Sequence, residues 1–153
     1  MEFLLMKDQS IRWVGVLAGL VVGTSVLAQT TVGELLGKGG KQTTKAEFIA
    51  LMPFQVQSKW PNGQGEEELF FSVDGKITGS GYHYQSRTSS PVEGTWSVDE
   101  DGKYCVPKRF TAWGTSTNLC FYGFRLGESS FSALTTDADS KLFKSNRVSK
   151  SGG

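Results

Sequence analysis

Ser72-Val73-Asp74-Gly75-Lys76 is the stretch that decides the fold, because it places an Asp-Gly turn between two runs of aromatic and β-branched residues. Asp-Gly is a strong signal for a two-residue hairpin turn between antiparallel strands. The pattern returns in Ser97-Val98-Asp99, followed by Gly102-Lys103 after a two-residue insertion. The chain therefore uses the same hairpin chemistry twice, which predicts sequential antiparallel pairing.

On both sides of these turns, residues 54–149 consist of short aromatic and β-branched runs broken by Gly, Asn, Asp and Pro, ahead of a flexible tail at 150–153. Such a pattern is typical of β-strands. The expected fold class is mainly β, as a small antiparallel β-barrel or curled meander of about eight strands, since an open sheet of this size would leave two exposed edges. The candidates for its inward-facing core are Phe71, Trp96, Val98 and Phe124. The predicted strands are 54–60, 67–73, 77–87, 92–98, 103–108, 118–126, 130–135 and 142–148.

Two short helices are predicted in the segment 29–53, ahead of the β region. Thr31 and Thr44 each stand three residues before a glutamate, which is the arrangement of a capping box at a helix start. The first helix, 32–36, is expected to end at a glycine, which tolerates the left-handed cap conformation. The second, 45–52, is expected to end ahead of a proline, because the residue before proline avoids the helical conformation.

Residues 1–28 have the features of an export signal peptide. Lys7 and Arg12 form a basic start, the run 13–26 is almost wholly apolar, and small residues precede Gln29. The alternative is an uncleaved membrane anchor, which needs roughly 20 apolar residues to span a bilayer. We expect cleavage before Gln29 and a periplasmic or secreted protein that meets the membrane only through its signal peptide.

The charge balance disfavours nucleic acid as a partner. The chain has 16 basic and 15 acidic residues, and removal of residues 1–28 leaves 14 against 13. Nonspecific nucleic-acid binding depends on clustered Lys and Arg side chains that displace counterions from the phosphates. A nearly neutral chain offers little of that interaction.

Cys105 and Cys120 are predicted to form a disulfide, since an exported protein folds in an oxidising compartment. They lie in the predicted strands 103–108 and 118–126, which a hairpin would bring opposite each other. Closing this loop would contribute about 3 kcal/mol to stability. The alternative is two buried thiols, and a catalytic thiol is disfavoured because the chain has one histidine and no CxxC pair.

The string Gly94-Thr95-Trp96-Ser97-Val98-Asp99-Glu100-Asp101-Gly102-Lys103-Tyr104-Cys105, followed by Cys120-Phe121-Tyr122, resembles a family of small exported bacterial proteins that has no assigned function. The likeness covers most of residues 29–153. It implies a periplasmic or secreted bacterial domain of mostly β structure, and it brings no catalytic residue to this chain.

Gly94-Thr95-Trp96 also resembles the Gly-x-Trp signature of lipocalins and avidins. That resemblance implies a ligand-holding barrel in which Trp96 contacts the ligand. The alternative is a core tryptophan beside a tight backbone contact.

Gly79-Ser80-Gly81-Tyr82-His83-Tyr84 is the most site-like segment and contains the one histidine of the chain. Alternation places Tyr82 and Tyr84 on one face and His83 on the other, a geometry suited to stacking on a sugar ring or a partner surface. The segment also resembles the Ser/Gly-rich inhibitory loop of bacterial lysozyme inhibitors, which implies an enzyme inhibitor. The alternative is a strand with exposed tyrosines and a solvated histidine.

Arg109 and Trp113 complete the candidate binding residues. They lie in the loop that the proposed disulfide closes, where tryptophan beside arginine suits recognition, although Trp113 is equally suited to cap one barrel end. Residues 66–68 are three consecutive glutamates, but calcium needs oxygen ligands from several directions, so we interpret them as a charged turn. We predict no metal site and no cofactor.

Three classes of function are consistent with these features. The leading hypothesis is an exported, non-enzymatic β-barrel module that binds a protein or glycan of the cell envelope through its loops. A lipocalin-like carrier of a small apolar ligand ranks second, and a barrel cavity of about 300 Å³ or more would favour it over a filled core. An enzyme ranks third, because one histidine and scattered carboxylates form no recognisable acid–base pair.

Overall fold

The computed structural model describes residues 30–148, which fold into a closed antiparallel β-barrel of eight strands. The mainly β fold class predicted from the sequence is confirmed. The predicted signal peptide at 1–28 and tail at 150–153 lie outside the described residues. The strands are Lys41–Gln42 (β1), Phe54–Lys59 (β2), Gly65–Phe71 (β3), Lys76–His83 (β4), Thr88–Thr95 (β5), Ser97–Val98 (β6), Lys103–Phe110 (β7), Thr115–Leu126 (β8), Ser129–Ala133 (β9) and Phe143–Val148 (β10).

Each wall strand pairs with the next one along the chain, and the last closes on the first. The order around the barrel is β2-β3-β4-β5-β7-β8-β9-β10, and β10 pairs with β2. Closure gives every wall strand two partners and removes the exposed edges of an open sheet. The two-residue strands β6 and β1 are added beside β7 and β8. β1 lies in the connection between the two helical segments, where Lys41 pairs with Arg125 of β8.

Both predicted helices are present, at Val32–Gly37 (α1) and Lys45–Ala50 (α2). Each begins with a capping box, in which the hydroxyl of Thr31 or Thr44 accepts a hydrogen bond from the glutamate three residues later. α2 is two residues shorter than predicted, because the helix ends at Ala50 and Leu51 is its C-cap residue. Neither described helix has the length and apolar composition needed to cross a lipid bilayer.

The two helices pack on different surfaces of the barrel. α2 covers one end, which we call the closed end, with Phe48: its ring stacks on Tyr104 at 4.8 Å and meets Trp96 edge-on at 5.7 Å between centroids. α1 contributes Val32 and Leu35, which are fully buried in a second cluster with residues of β8 and β9. The outer wall beside α1 is therefore covered, and α2 plugs the barrel.

The predicted core residues divide between the two clusters. Phe71 is buried in the cluster inside the barrel, and Trp96 and Val98 pack against it. The prediction that Phe124 faces this same core is wrong, because Phe124 is buried in the second cluster with the α1 side chains. Gly123, the neighbour of Phe124 on β8, lies on the inner face of the strand. One face of β8 therefore points into the barrel, and the other packs against α1.

The two Asp-Gly hairpins have three loop residues each, one more than the two-residue turn predicted at Asp74-Gly75. Ser72 donates its N–H to the carbonyl of Lys76 at 3.0 Å, and Asp99 does the same to Lys103 at 2.9 Å. The last loop residue is a glycine in both, with φ of 86° and 82°, a conformation that favours glycine. The two loops are therefore equivalent along their Asp-Gly-Lys segments, without the insertion inferred from the sequence.

Cys105 and Cys120 form a disulfide, as predicted. They lie directly opposite each other on β7 and β8, with their Cα atoms 4.0 Å apart. The neighbours of Cys105, Tyr104 and Val106, both pack against the core inside the barrel. Since side chains alternate along a strand, the disulfide lies on the outer face of the wall.

Candidate functional site

The inward faces of the barrel differ between its two halves. On β3, β4, β5 and β7, which we call the packed half, the inward apolar side chains are almost fully buried, with Leu69 only 3% exposed. Gly81 on β4 allows the Phe110 ring to lie against the wall, since a Cβ at this glycine would be 2.5 Å from the ring. The other buried inward residues of this half are Phe71, Ile77, Ser90, Val92 and Val106.

On β8, β9, β10 and β2, which we call the open half, the inward side chains border a cavity of about 490 Å³. Leu119 pairs with the buried Val106 across β7 and β8, yet it is 37% exposed. Leu134, just beyond β9, is 46% exposed. The other cavity-lining residues of this half include Val56, Ser58, Thr117, Phe121, Ser130, Ser132, Phe143 and Ser145. An apolar wall interrupted by a few hydroxyl groups is the common composition of a small-molecule site.

The end of the barrel opposite α2, which we call the mouth, carries a cluster of aromatic rings. Trp60 lies at its centre, with ring centroids 5.5 Å from Phe110, 5.9 Å from His83 and 6.0 Å from Trp113. Phe110 and Trp113 are stacked at 5.1 Å. Because all four residues line the cavity, this cluster forms one side of its entrance.

A buried ion pair lies in the cavity wall of the packed half. The Lys108 ammonium contacts the two carboxylate oxygens of Glu67 at 2.5 and 2.7 Å, and the two side chains are 8% and 9% exposed. Trp60 donates its indole N–H to Glu67 Oε2 at 3.2 Å. A buried carboxylate needs this compensation, because desolvation of an unpaired charge is expensive.

Three further hydroxyl groups contribute polar character to the interior. The phenol of Tyr104 and the Ser132 hydroxyl are 2.7 Å apart, which links β7 to β9. Burial raises the pKa of Tyr104 to about 12, opposed by the hydrogen bond to Ser132 and reinforced by the charge of Glu67. Thr117 Oγ1 is buried without a hydrogen-bond partner among the residues that the structure describes. The interior is therefore mainly apolar but carries several groups able to orient a polar substituent.

Two of the six predicted binding residues lie together at the cavity. His83 and Trp113 have ring centroids 6.4 Å apart at the mouth, and His83 Nδ1 accepts a hydrogen bond from the Ser86 backbone N–H at 3.3 Å. Trp113 lies in the turn after β7 and is stacked on Phe110. The fold thus brings together His83 and Trp113, which are 30 residues apart in the sequence.

The other four lie elsewhere. Tyr82 and Tyr84 are on the face opposite His83, as alternation predicts, and Tyr84 donates to Glu66 at 3.0 Å. Arg109 is exposed on β7, between the inward Lys108 and Phe110. Trp96 is at the closed end. Its indole N–H donates to a backbone carbonyl at 2.8 Å, which is the core arrangement given above as the alternative.

The segment 79–83 is a paired strand with neighbours on both sides, not a flexible loop. Gly79 of β4, for example, pairs with Leu69 of β3 on one side and with Val92 of β5 on the other. The likeness to a Ser/Gly-rich inhibitory loop therefore has no matching loop at these positions. The glycines serve packing inside the barrel instead.

Sequence reasoning missed three residues of the site, Trp60, Glu67 and Lys108. The interpretation of residues 66–68 as a charged turn is wrong, because they lie within β3 and pair with β2. The available signal was alternation: Glu67 is in phase with all three buried residues of β3, and Lys108 is in phase with Val106 and Phe110. A charged residue at an inward position requires an inward partner.

Comparison of the chain with protein-family models, curated proteins and solved structures finds no match. The resemblance to a family of exported bacterial proteins therefore stays a prediction. Between residues 30 and 148, no group of three or more His, Cys, Asp or Glu side chains is arranged to hold a metal ion.

Proposed function

We propose that this protein is a carrier that binds one small, predominantly apolar molecule inside its barrel. The observation behind the proposal is the cavity of about 490 Å³, into which the inward-facing Leu119 is exposed. This volume exceeds the roughly 300 Å³ at which pockets begin to hold small molecules. The carrier hypothesis therefore takes precedence over binding at the loop surface.

The hydrophobic effect supplies the driving force. Leu119, Leu134 and Phe121 line the cavity while remaining partly accessible to water. Covering apolar surface contributes about 25 cal/mol for each Å² removed from water. The packed half and α2 already fill the remaining interior, so the ligand enters a cavity that is formed before binding.

Export forms part of the same proposal. The disulfide between Cys105 and Cys120 is compatible with an oxidising compartment. A barrel that encloses an apolar molecule in the periplasm or the medium would carry it through water, where it is poorly soluble. The signal peptide proposed at residues 1–28 accounts for delivery to that compartment.

The test is a titration with N-phenyl-1-naphthylamine, a neutral apolar dye that fluoresces in apolar surroundings. We expect saturable binding of one dye per chain. Leu119→Trp should weaken this binding at least about tenfold, because the indole occupies the cavity. Val73→Trp is the matched control, since Val73 is 70% exposed in a hairpin loop. Absence of dye binding by the wild type, or equal affinities in the two variants, would contradict the proposal.

A protein or glycan partner is the second candidate, and the outer face of β4 favours it. Tyr84 is exposed, and its ring meets Tyr82 edge-on at 6.0 Å. Its hydroxyl is bonded to Glu66, so the pair presents an aromatic surface with a carboxylate beside it. Exposed tyrosines are enriched where proteins recognise partners.

A further inference from the structure

We infer that the cavity selects uncharged amphipathic molecules over carboxylates or amines with the same hydrocarbon tail, and that Lys108 binds the polar oxygen of the ligand. This inference rests on the proposed carrier function. The ion pair of Lys108 with Glu67 carries it. Among the ion pairs of residues 30–148, this is the one in which both side chains are at least nine-tenths buried.

The pair leaves a hydrogen-bond donor in the cavity wall. An ammonium group has three N–H bonds, and one directed at each oxygen of Glu67 accounts for two of them. Both side chains line the cavity. The third N–H can therefore donate to a hydroxyl, carbonyl or ether oxygen of a ligand while the ion pair stays intact.

A ligand carboxylate fits this wall poorly. It would either lie beside the Glu67 carboxylate as a like charge or draw Lys108 away from it. In the second case Glu67 would keep only the indole N–H of Trp60, and separating a buried ion pair is strongly unfavourable. An ammonium ligand meets the same difficulty with Lys108.

Two other basic side chains border the cavity, and neither changes this selectivity. Lys59 is exposed to solvent, where attraction to a carboxylate is weak. His83 lies at the mouth among the aromatic rings, with Nδ1 bonded to Ser86. The charges of Lys108 and Glu67 thus cancel inside the barrel, and only a ligand with a neutral head group leaves this ion pair intact.

The experiment measures displacement of N-phenyl-1-naphthylamine by decanol, decanoate and decylammonium at pH 8, where both ionic head groups are charged. We expect decanol to bind at least about tenfold more tightly than either ion. In Glu67→Gln the preference between decanol and decanoate should reverse, because Lys108 then lacks its carboxylate partner. Glu66→Gln is the matched control: it removes the same charge from the outer face and should keep the wild-type order.

The outcomes separate the two proposals. The selectivity is overturned if the wild type binds the dye but binds decanoate or decylammonium as tightly as decanol. It is also overturned if a folded Glu67→Gln variant keeps the wild-type preference for decanol over decanoate. If circular dichroism shows that this variant is unfolded, the order of the three wild-type affinities decides alone. Failure of the dye to bind any folded form overturns the carrier function itself.

Discussion

The packed half and the open half of the barrel are built on the same alternation of inward and outward residues, yet only the packed half is filled. In the packed half, Gly81 of β4 leaves space for the Phe110 ring, which lies against it. In the open half, most inward positions on β8, β9 and β10 carry smaller hydroxyl or aliphatic side chains, such as Leu119 and Ser132, beside the rings of Phe121 and Phe143. The comparison teaches that side-chain size at inward positions, and not strand number alone, decides whether a barrel of eight strands is solid or holds a cavity.

The open half is stabilised mainly from outside. Phe124 and Ala133, on its outer face, are buried with Val32 and Leu35 of α1. The packed half has its buried apolar residues on the inner face. The wall of the open half is therefore held by contacts that do not need the cavity to be filled.

The largest expected effect compares one leucine from each half. Leu69→Ala should lower the free energy of unfolding by about 2 to 5 kcal/mol, as for other leucines buried in cores. Leu119→Ala should cost less than about 1 kcal/mol, because more than a third of this leucine is already exposed in the folded protein. Leu69 is 3% exposed and Leu119 is 37% exposed, and both face the barrel interior. Urea unfolding of the two variants measures both values, and equal losses would break the distinction between the halves.

The sequence predicts the strands of both halves. Strand positions follow from turns and alternation, and all eight predicted strands overlap strands of the structure. The two capping boxes fix the helix starts because they depend on local hydrogen bonds alone. The disulfide follows from two cysteines on adjacent strands of one hairpin.

The cavity could not be predicted, because alternation tells which residues face inward but not whether they meet across the barrel. β8 shows the difficulty. It has apolar side chains on both faces, with Leu119 and Phe121 inside and Phe124 against α1. Period-two reasoning cannot choose the core face of such a strand, and this is why the assignment of Phe124 was wrong. The inward position of Glu67 could not be recognised because its two neighbours in sequence are also glutamates. Charged residues then occupy both faces of the strand, and alternation gives no contrast between them.

The second prediction concerns the bond that joins the two halves. The disulfide links Cys105 on β7 to Cys120 on β8, at a sequence separation of 15 residues. Replacing both cysteines with alanine should lower the free energy of unfolding by about 3 kcal/mol, as expected for closure of a loop of this length. Wild-type protein unfolded in urea with a reductant is the control and should lose a similar amount. If reduction and replacement both leave the midpoint unchanged, the two halves are held together by strand pairing alone.

The smallest expected effect tests the link between the halves at Tyr104, whose phenol belongs to β7 and is bonded to Ser132 on β9. Burial raises the pKa of this phenol to about 12, whereas an unfolded tyrosine ionises near about 10. Between these values the unfolded chain loses its proton first, so the contribution to stability is complete below about pH 10 and is lost as the pH rises towards about 12. Tyr104→Phe should therefore show a smaller fall in melting temperature between pH 9 and pH 11 than the wild type.

The pKa values of Tyr84 and Tyr122 are also raised, and both residues remain in the variant, so part of the fall in melting temperature persists. Identical falls in the two proteins would show that the Tyr104 hydroxyl is solvated through the cavity, and the two halves would then lack this buried connection.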